Sequence, residues 1–114
     1  MAEECLFCKI VDGEVPSDKV YEDDDILVFK DIDPQAPIHL VIIPKQHYDS
    51  ILAVPAGDPI MGKVQTVISR LAIKMGVAED GFRVVNNCGQ DGGQTVPHLH
   101  FHFLAGRSMK WPPG

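Results

Sequence analysis

Apolar and polar residues alternate strictly along His98-Leu99-His100-Phe101-His102-Phe103. Side chains of a β-strand point to opposite faces with a period of two, so this segment reads as a strand with three imidazoles on one face and Leu99, Phe101 and Phe103 on the other. A helical period would scatter both sets around the axis. Ile38-His-Leu-Val-Ile-Ile43, closed by Pro44, reads as a second strand, with His39 among apolar neighbours. Lys19-Val-Tyr21 and Ile26–Lys30, parted by the acidic Glu22-Asp-Asp-Asp25, read as a hairpin around a solvated turn, and Gly81–Asn87 gives a further strand. Pro34 and Pro37 make 33–37 a loop. The period changes between Asp58 and Gly76, where Asp58 serves as N-cap, Pro59 opens the first turn and Gly76 ends a helix of about four to five turns. Met61, Val64, Ile68, Leu71, Ala72 and Met75 form its apolar stripe, opposite Lys63, Gln65, Ser69, Arg70 and Lys74, which marks a core-packing helix. Strands joined by short connections, one long helix and no regular βαβ alternation predict an α+β fold with a mainly antiparallel sheet.

The 114 residues fit one domain, 1–114, without repeat, linker or low-complexity segment. Hydrophobic residues at 45% and charged residues at 23% are those of a soluble globular chain, and no apolar run approaches the ~20 residues of a membrane span. A net charge of −6 is wrong for sequence-independent nucleic-acid binding, which needs a basic footprint. The acidic start Met-Ala-Glu-Glu-Cys lacks the basic and apolar parts of a signal peptide, so a cytoplasmic location is expected. Three cysteines, an odd number, argue against a disulfide framework. Cys5-Leu-Phe-Cys8 is open to three readings: a redox pair, half of a zinc site, or an incidental spacing. A thioredoxin-like pair follows a strand, and none precedes this one; zinc needs two more ligands, which the histidines offer.

Three of the five histidines in one six-residue stretch read as a site, because imidazole, with an unperturbed pKa of ~6.5, serves as nucleophile, acid, base or ligand near neutrality. The loop Gly89-Gln-Asp-Gly-Gly-Gln-Thr95 immediately precedes them, and Gly92-Gly93 lets backbone amides approach an anion such as phosphate. Neither a P-loop nor a dinucleotide fingerprint is present. A phosphate loop beside imidazoles suggests nucleophilic attack on phosphorus. A neutral His has a free lone pair and forms a phosphoramidate without prior deprotonation, while neighbouring donors stabilise the phosphoryl oxygens.

Gln94-Thr95-Val96-Pro97-His98-Leu99-His100-Phe101-His102-Phe103-Leu104 resembles the signature of the histidine triad (HIT) family. Leu6–Ile10, Phe29–Ile32, Pro34–Pro37 with His39, Val41–Lys45, Asp91–Gln94, Gly106-Arg107 and Trp111–Gly114 extend the likeness over nearly the whole chain, to the Hint branch. The resemblance implies a five-stranded sheet with one long and one short N-terminal helix, and a homodimer whose sheets join, each C-terminal segment lying near the partner's site. It also implies a purine nucleotide phosphoramidase, cleaving the P–N bond of adenosine 5′-phosphoramidate-type substrates without a catalytic cofactor. On that reading His100 attacks the α-phosphorus and carries the AMP. His102, Asn87, Gly93 and Thr95 contact phosphate, and the Thr95 hydroxyl also meets the departing amine. Phe7, Ile10, Phe29 and Ile32 line the base pocket and Asp31 binds ribose hydroxyls. His39 either completes the imidazole network or is a satisfied core histidine. Phe7, Ile10, Phe29 and Ile32 likewise admit a plain core reading.

Cys5 and Cys8 resemble a zinc-binding version of the family, in which His47 and His98 complete a structural Cys2His2 site. Pro97 departs from the aromatic residue that related sequences often carry there. Two other functions compete: a zinc-binding interaction module with little catalysis, and another HIT activity such as dinucleoside polyphosphate hydrolysis. The module leaves the glycine loop, Asn87 and Asp31 without roles, and the short chain with its Trp-Pro-Pro-Gly ending favours the Hint branch.

Overall fold

Lys19–Glu22 (β1), Ile26–Lys30 (β2), Ile38–Pro44 (β3), Arg83–Val85 (β4) and Phe101–Ala105 (β5) form one antiparallel sheet in the order β1-β2-β3-β5-β4. The helices Leu6–Val11 (α1) and Ile60–Lys74 (α2) complete the α+β architecture expected from the pattern. This computed structural model describes residues 5–114. The first four residues, part of the acidic start, lie outside them. Among the described residues no helix is long and apolar enough to cross a membrane.

The period-two rule divides the sheet into two unlike faces. Ile26, Val28, Leu40, Ile42, Phe101, Phe103 and Ala105 face α2 and pack on its Ile60, Val64, Val67, Leu71 and Ala72. Leu27, Phe29, Val41 and Ile43 face the other way, onto Cys5, Phe7 and Ile10 of the α1 segment. Both faces of β3 are therefore covered, which explains its nearly continuous apolar sequence. The buried stripe of α2 runs through Ile60 and Val67, whereas the expected Met61, Ile68 and Met75 pack only at its margin.

Local chemistry sets the helix ends. Asp58 Oδ1 accepts from the Ile60 N–H at 2.9 Å, and its Oδ2 accepts from the Tyr48 hydroxyl at 2.8 Å, tying the helix start to the loop after β3. At the other end Gly76 has φ +72°, and the bonds Val77 N–H to Ala72 O and Gly76 N–H to Ile73 O close a Schellman motif. The acidic turn is organised by Asp23, whose Oδ1 accepts from the Asp25 and Ile26 amides.

Two expected strands are shorter than their sequence pattern. Residues 98–100 leave the ladder: the register would set Leu99 opposite Pro44, which has no N–H to offer, and Leu99 N–H turns to the Tyr48 carbonyl at 2.7 Å instead. The expected strand over 81–87 contracts to Arg83–Val85, because Gly81 bends the chain at φ +97° and Asn86 bonds across with its side chain, Nδ2 to His100 O at 2.9 Å.

Candidate active site

Helix α1 is only six residues long and covers part of its face of the sheet. On the same face, a cavity of about 510 Å³ is lined by His39 of β3, His102 and Leu104 of β5, and Val85 and Asn87 at β4. Gln35, Arg107 and the terminal Pro113-Gly114 form part of its rim.

Hydrogen-bond partners assign the tautomers of the imidazoles. His100 Nδ1 lies 2.7 Å from the carbonyl oxygen of His98, which only accepts, so Nδ1 carries the proton and Nε2 of the neutral ring keeps its lone pair. His39 Nδ1 accepts from the Gln35 N–H at 3.0 Å, so its Nε2–H donates to His102 Nδ1 at 2.8 Å. His102 thereby presents Nε2–H as a donor. Asp31 Oδ2 stands 3.3 Å from His39 Nε2 and 3.8 Å from His102 Nδ1, completing an Asp–His–His cluster. Burial pushes His102 below the usual imidazole range, with His100 and His39 acting in the same direction. His102 is thus a neutral donor at pH 7.

Phe7 packs edge-on against His100, ring centroids 5.0 Å apart, and against Phe29 at 5.7 Å. Ile10 lies buried in the same cluster, while Ile32 is fully exposed and stands apart from it. Thr95 and Gly93 sit on the exposed loop before the histidines, Gly93 at φ +80°. Gly92 is sterically required: a Cβ there would meet the Cys88 backbone, its nitrogen at 2.8 Å and its carbonyl oxygen closer still.

The loop is braced by Gln94, a residue of the motif to which the sequence alone assigns no role. Its Oε1 accepts from Gly89 N–H at 3.0 Å, and its Nε2 donates to Asp49 O at 2.7 Å and Val96 O at 3.0 Å. Asn86, holding the His100 carbonyl, likewise has no role that the sequence alone assigns. An amide side chain bonding to distant backbone leaves no periodic signal in a sequence.

His98 does not share the site of His100 and His102. It is fully buried with Cys5, Cys8 and His47, and the four potential ligand atoms lie within 4.8 Å of one another. Its Nε2–H donates to Pro44 O at 2.8 Å, so Nδ1 presents a lone pair to Cys5 Sγ at 3.3 Å and Cys8 Sγ at 3.5 Å. His47 is arranged alike, its Nε2–H on Asp49 Oδ1 at 2.7 Å and its Nδ1 facing Cys8 Sγ at 3.3 Å. Burial pushes His98 down to about 4, against the Pro44 bond, which acts the other way; the ring is therefore neutral and able to ligate. Burial, then the hydrogen bond with Cys5, pushes the Cys8 thiol up to about 11, a cost that a bound cation offsets. The four side chains can hold a metal ion.

An antiparallel five-stranded sheet carrying a buried histidine nucleophile candidate on one face defines the class, and residues 12–109 match the HIT domain model. The chain belongs to the HIT family. It is 44% identical over 110 residues to the purine nucleoside phosphoramidase of Escherichia coli K12, covering 96% of this chain and 92% of that protein. An uncharacterized HIT-like protein of Synechococcus elongatus is 46% identical over 115 residues, covering all of both chains. A HIT family hydrolase from Legionella pneumophila superposes with a TM-score of 0.95 at 48% identity, over 97% of this chain and all of that one.

Proposed function

We propose that this protein is a nucleotide hydrolase that cleaves the P–N bond of adenosine 5′-phosphoramidate-type substrates through a covalent adenylyl intermediate on His100. The observation that carries the reading is the His98 O to His100 Nδ1 bond, which leaves the Nε2 lone pair free; a glycine loop suited to phosphate precedes this segment in the chain. Similarity to the purine nucleoside phosphoramidase of Escherichia coli supports the same chemistry. His100 Nε2 attacks the α-phosphorus and the P–N bond breaks, the nitrogen leaving as the amine with a proton taken from solvent; water then attacks the adenylyl-histidine, releasing AMP, returning that proton and restoring the neutral ring. His102 Nε2–H, Asn87, the Gly93 amide and the Thr95 hydroxyl supply donors to the phosphoryl oxygens, and Thr95 also meets the amine.

Phe7, Ile10 and Phe29 provide an apolar wall for the base, and Ile32 is an exposed apolar surface that a bound base would cover. Asp31 accepts from the Asp33 N–H with Oδ1 and turns Oδ2 toward the imidazoles, where it can also accept from ribose hydroxyls. His39 acts through His102, a role the bond between them supports. The competing module, with the histidine row on one metal, finds little support, since His100 belongs to neither group of potential ligands. Rapid quench with adenosine 5′-phosphoramidate followed by intact mass measurement tests the proposal. The wild type gains one adenylyl mass, absent from His100→Ala; turnover without any trapped adduct in the wild type would overturn it.

The metal we propose is zinc. Tetrahedral zinc with Zn–S of ~2.3 Å and Zn–N of ~2.0 Å sets S···N edges of about 3.5 Å. The observed separations of 3.3, 3.3 and 3.5 Å match those edges, and Pro44 O and Asp49 hold the imidazoles from behind. Four protein ligands make the site closed and structural. Elemental analysis should give about one zinc per chain, lost in Cys8→Ser and in His47→Ala. Undiminished zinc in both variants would remove the assignment.

The homodimer, in turn, would join the sheets through β4. The β1 edge is guarded: Lys74 Nζ donates to Val20 O at 3.0 Å and Arg70 reaches the Tyr21 hydroxyl. β4 pairs only with β5 and carries the exposed Val84, with Phe82 beside it. Sedimentation should therefore report a mass of two chains, shifted to one by Val84→Asp; a wild-type mass of one chain would refute the dimer.

A further inference from the structure

We propose that Arg107 is a positioning residue for the phosphate donor: by holding the carbonyl of Gln35 it sets the loop 33–37 so that the Gln35 N–H fixes the tautomers of His39 and His102. This role rests on His102 as a donor to the phosphoryl oxygens and goes beyond it to what keeps that ring a donor. Arg107 follows β5, and its Nε–H and Nη2–H converge on Gln35 O at 3.3 and 3.0 Å, while Nη1 donates to Ser108 O at 3.1 Å. Gln35 N–H in turn donates to His39 Nδ1 at 3.0 Å, and His39 Nε2 stands 2.8 Å from His102 Nδ1. All four residues line the same cavity.

The loop needs such a hold because Pro34 and Pro37 lack N–H groups and cannot donate to a neighbouring strand. Its near end is fastened internally, by Asp33 N–H to Asp31 Oδ1 at 2.8 Å and by Gln35 Nε2 to Asp33 O at 3.0 Å. Its far end rests on Gly106. A Cβ there would stand 2.8 Å from Pro37 Cβ and 3.2 Å from its Cγ, so this glycine, at φ +96°, lets the turn after β5 close on the loop. Between these ends the Gln35 backbone is gripped from one side by Arg107 and from the other by His39.

Two contacts keep the proton of His39 on Nε2: Gln35 N–H occupies the Nδ1 lone pair, and Asp31 Oδ2 lies 3.3 Å from Nε2. In the proposed function ribose hydroxyls draw on that same carboxylate oxygen, which leaves Gln35 N–H as the contact that substrate does not share. If Gln35 N–H swings away, His39 can carry its proton on Nδ1, and its Nε2 becomes an acceptor. His102 then keeps the 2.8 Å bond only by protonating its own Nδ1, and its Nε2 turns a lone pair, in place of a hydrogen, toward the phosphoryl oxygens. The two rings switch together, so an exposed guanidinium on the rim decides whether the donor inside is available.

The test uses the full chain as isolated, labelled with ¹⁵N-histidine, and adenosine 5′-phosphoramidate as the substrate. Without substrate, His39 and His102 of the wild type should each report a single Nε2–H tautomer at mildly alkaline pH. Arg107→Gln should show the Nδ1–H forms in both rings, with KM within about twofold and kcat lowered about tenfold, short of the ~10²–10³-fold cost of losing a phosphate donor outright. Arg107→Lys, which keeps one donor for Gln35 O, should recover most of the tautomer and of kcat. Gly106→Ala pushes on Pro37 from the other contact and should shift the same pair of rings. Arg83→Gln is the control, since it removes a guanidinium from the same cavity where Arg83 bonds to Lys110 O instead of the loop, and it should leave tautomers and kcat as they are. Unchanged tautomers in Arg107→Gln, or an equal shift in Arg83→Gln, would overturn the proposal. Shifted tautomers with an unchanged kcat would uphold the control of the two rings by Arg107 and count instead against His102 as the phosphate donor.

Discussion

His100→Ala is expected to lower kcat/KM for adenosine 5′-phosphoramidate by at least about 10⁴-fold while leaving the fold intact. The size follows from what the substitution removes. Without the imidazole, P–N cleavage has to proceed by direct attack of water, with only the phosphate donors left to help, and such residual catalysis is small. His102→Ala, by contrast, removes one donor and costs about 10²–10³-fold, because the nucleophile remains. The fold should survive His100→Ala because the ring, though buried against Phe7, lies outside the large cluster under α2. Steady-state rates with circular dichroism as the folding control decide the matter, and a loss under tenfold would move the chemistry to another residue.

The second large effect is on stability. Phe103 is fully buried in the middle of the sheet, opposite Leu40 on one side and Val84 on the other, with its ring stacked on Phe82 at 4.8 Å. Phe103→Ala should destabilise the protein by about 3–5 kcal/mol, since strands on both sides keep the cavity from collapsing. Against a total of roughly 5–15 kcal/mol that is a large share, and a fall in Tm on the order of 15 °C follows. Urea unfolding reads it directly. Because Phe103 faces α2 whereas His102 beside it faces the site, kcat of the molecules still folded should hold. A cost below about 1 kcal/mol would mean the site relaxes in a way this packing does not suggest.

The sequence was most readable where one physical rule acts alone. Period-two alternation put Phe101 and Phe103 on the α2 face and His102 on the other, and Gly76 ended α2 as its left-handed conformation requires. The same alternation overstated the strand at 98–100, because it reports which face a side chain buries and says nothing about whether a ladder partner exists; Leu99, which the register would set opposite Pro44, bonds to Tyr48 O instead. It also treated three imidazoles as equivalent. Their separation depends on the turn 44–48 and on α1, far apart in the chain, which collect His98 into a sulfur cluster by contacts no local pattern records. The family resemblance, rather than periodicity, grouped Cys5, Cys8, His47 and His98 correctly in space. Ile32 shows the remaining gap: an apolar residue on the surface looks the same in sequence as one in a core.

The unequal covering of the two faces of the sheet bears on how this chain can change. Substitutions under α2 alter how much stability is held in reserve, whereas on the proposed function substitutions among Phe7, Ile10, Phe29 and Ile32 would alter which base fits. The two sets share no side chain. A library could first be stabilised on the α2 side and then diversified on the other, the added stability offsetting what changes in the buried Phe7, Ile10 and Phe29 cost.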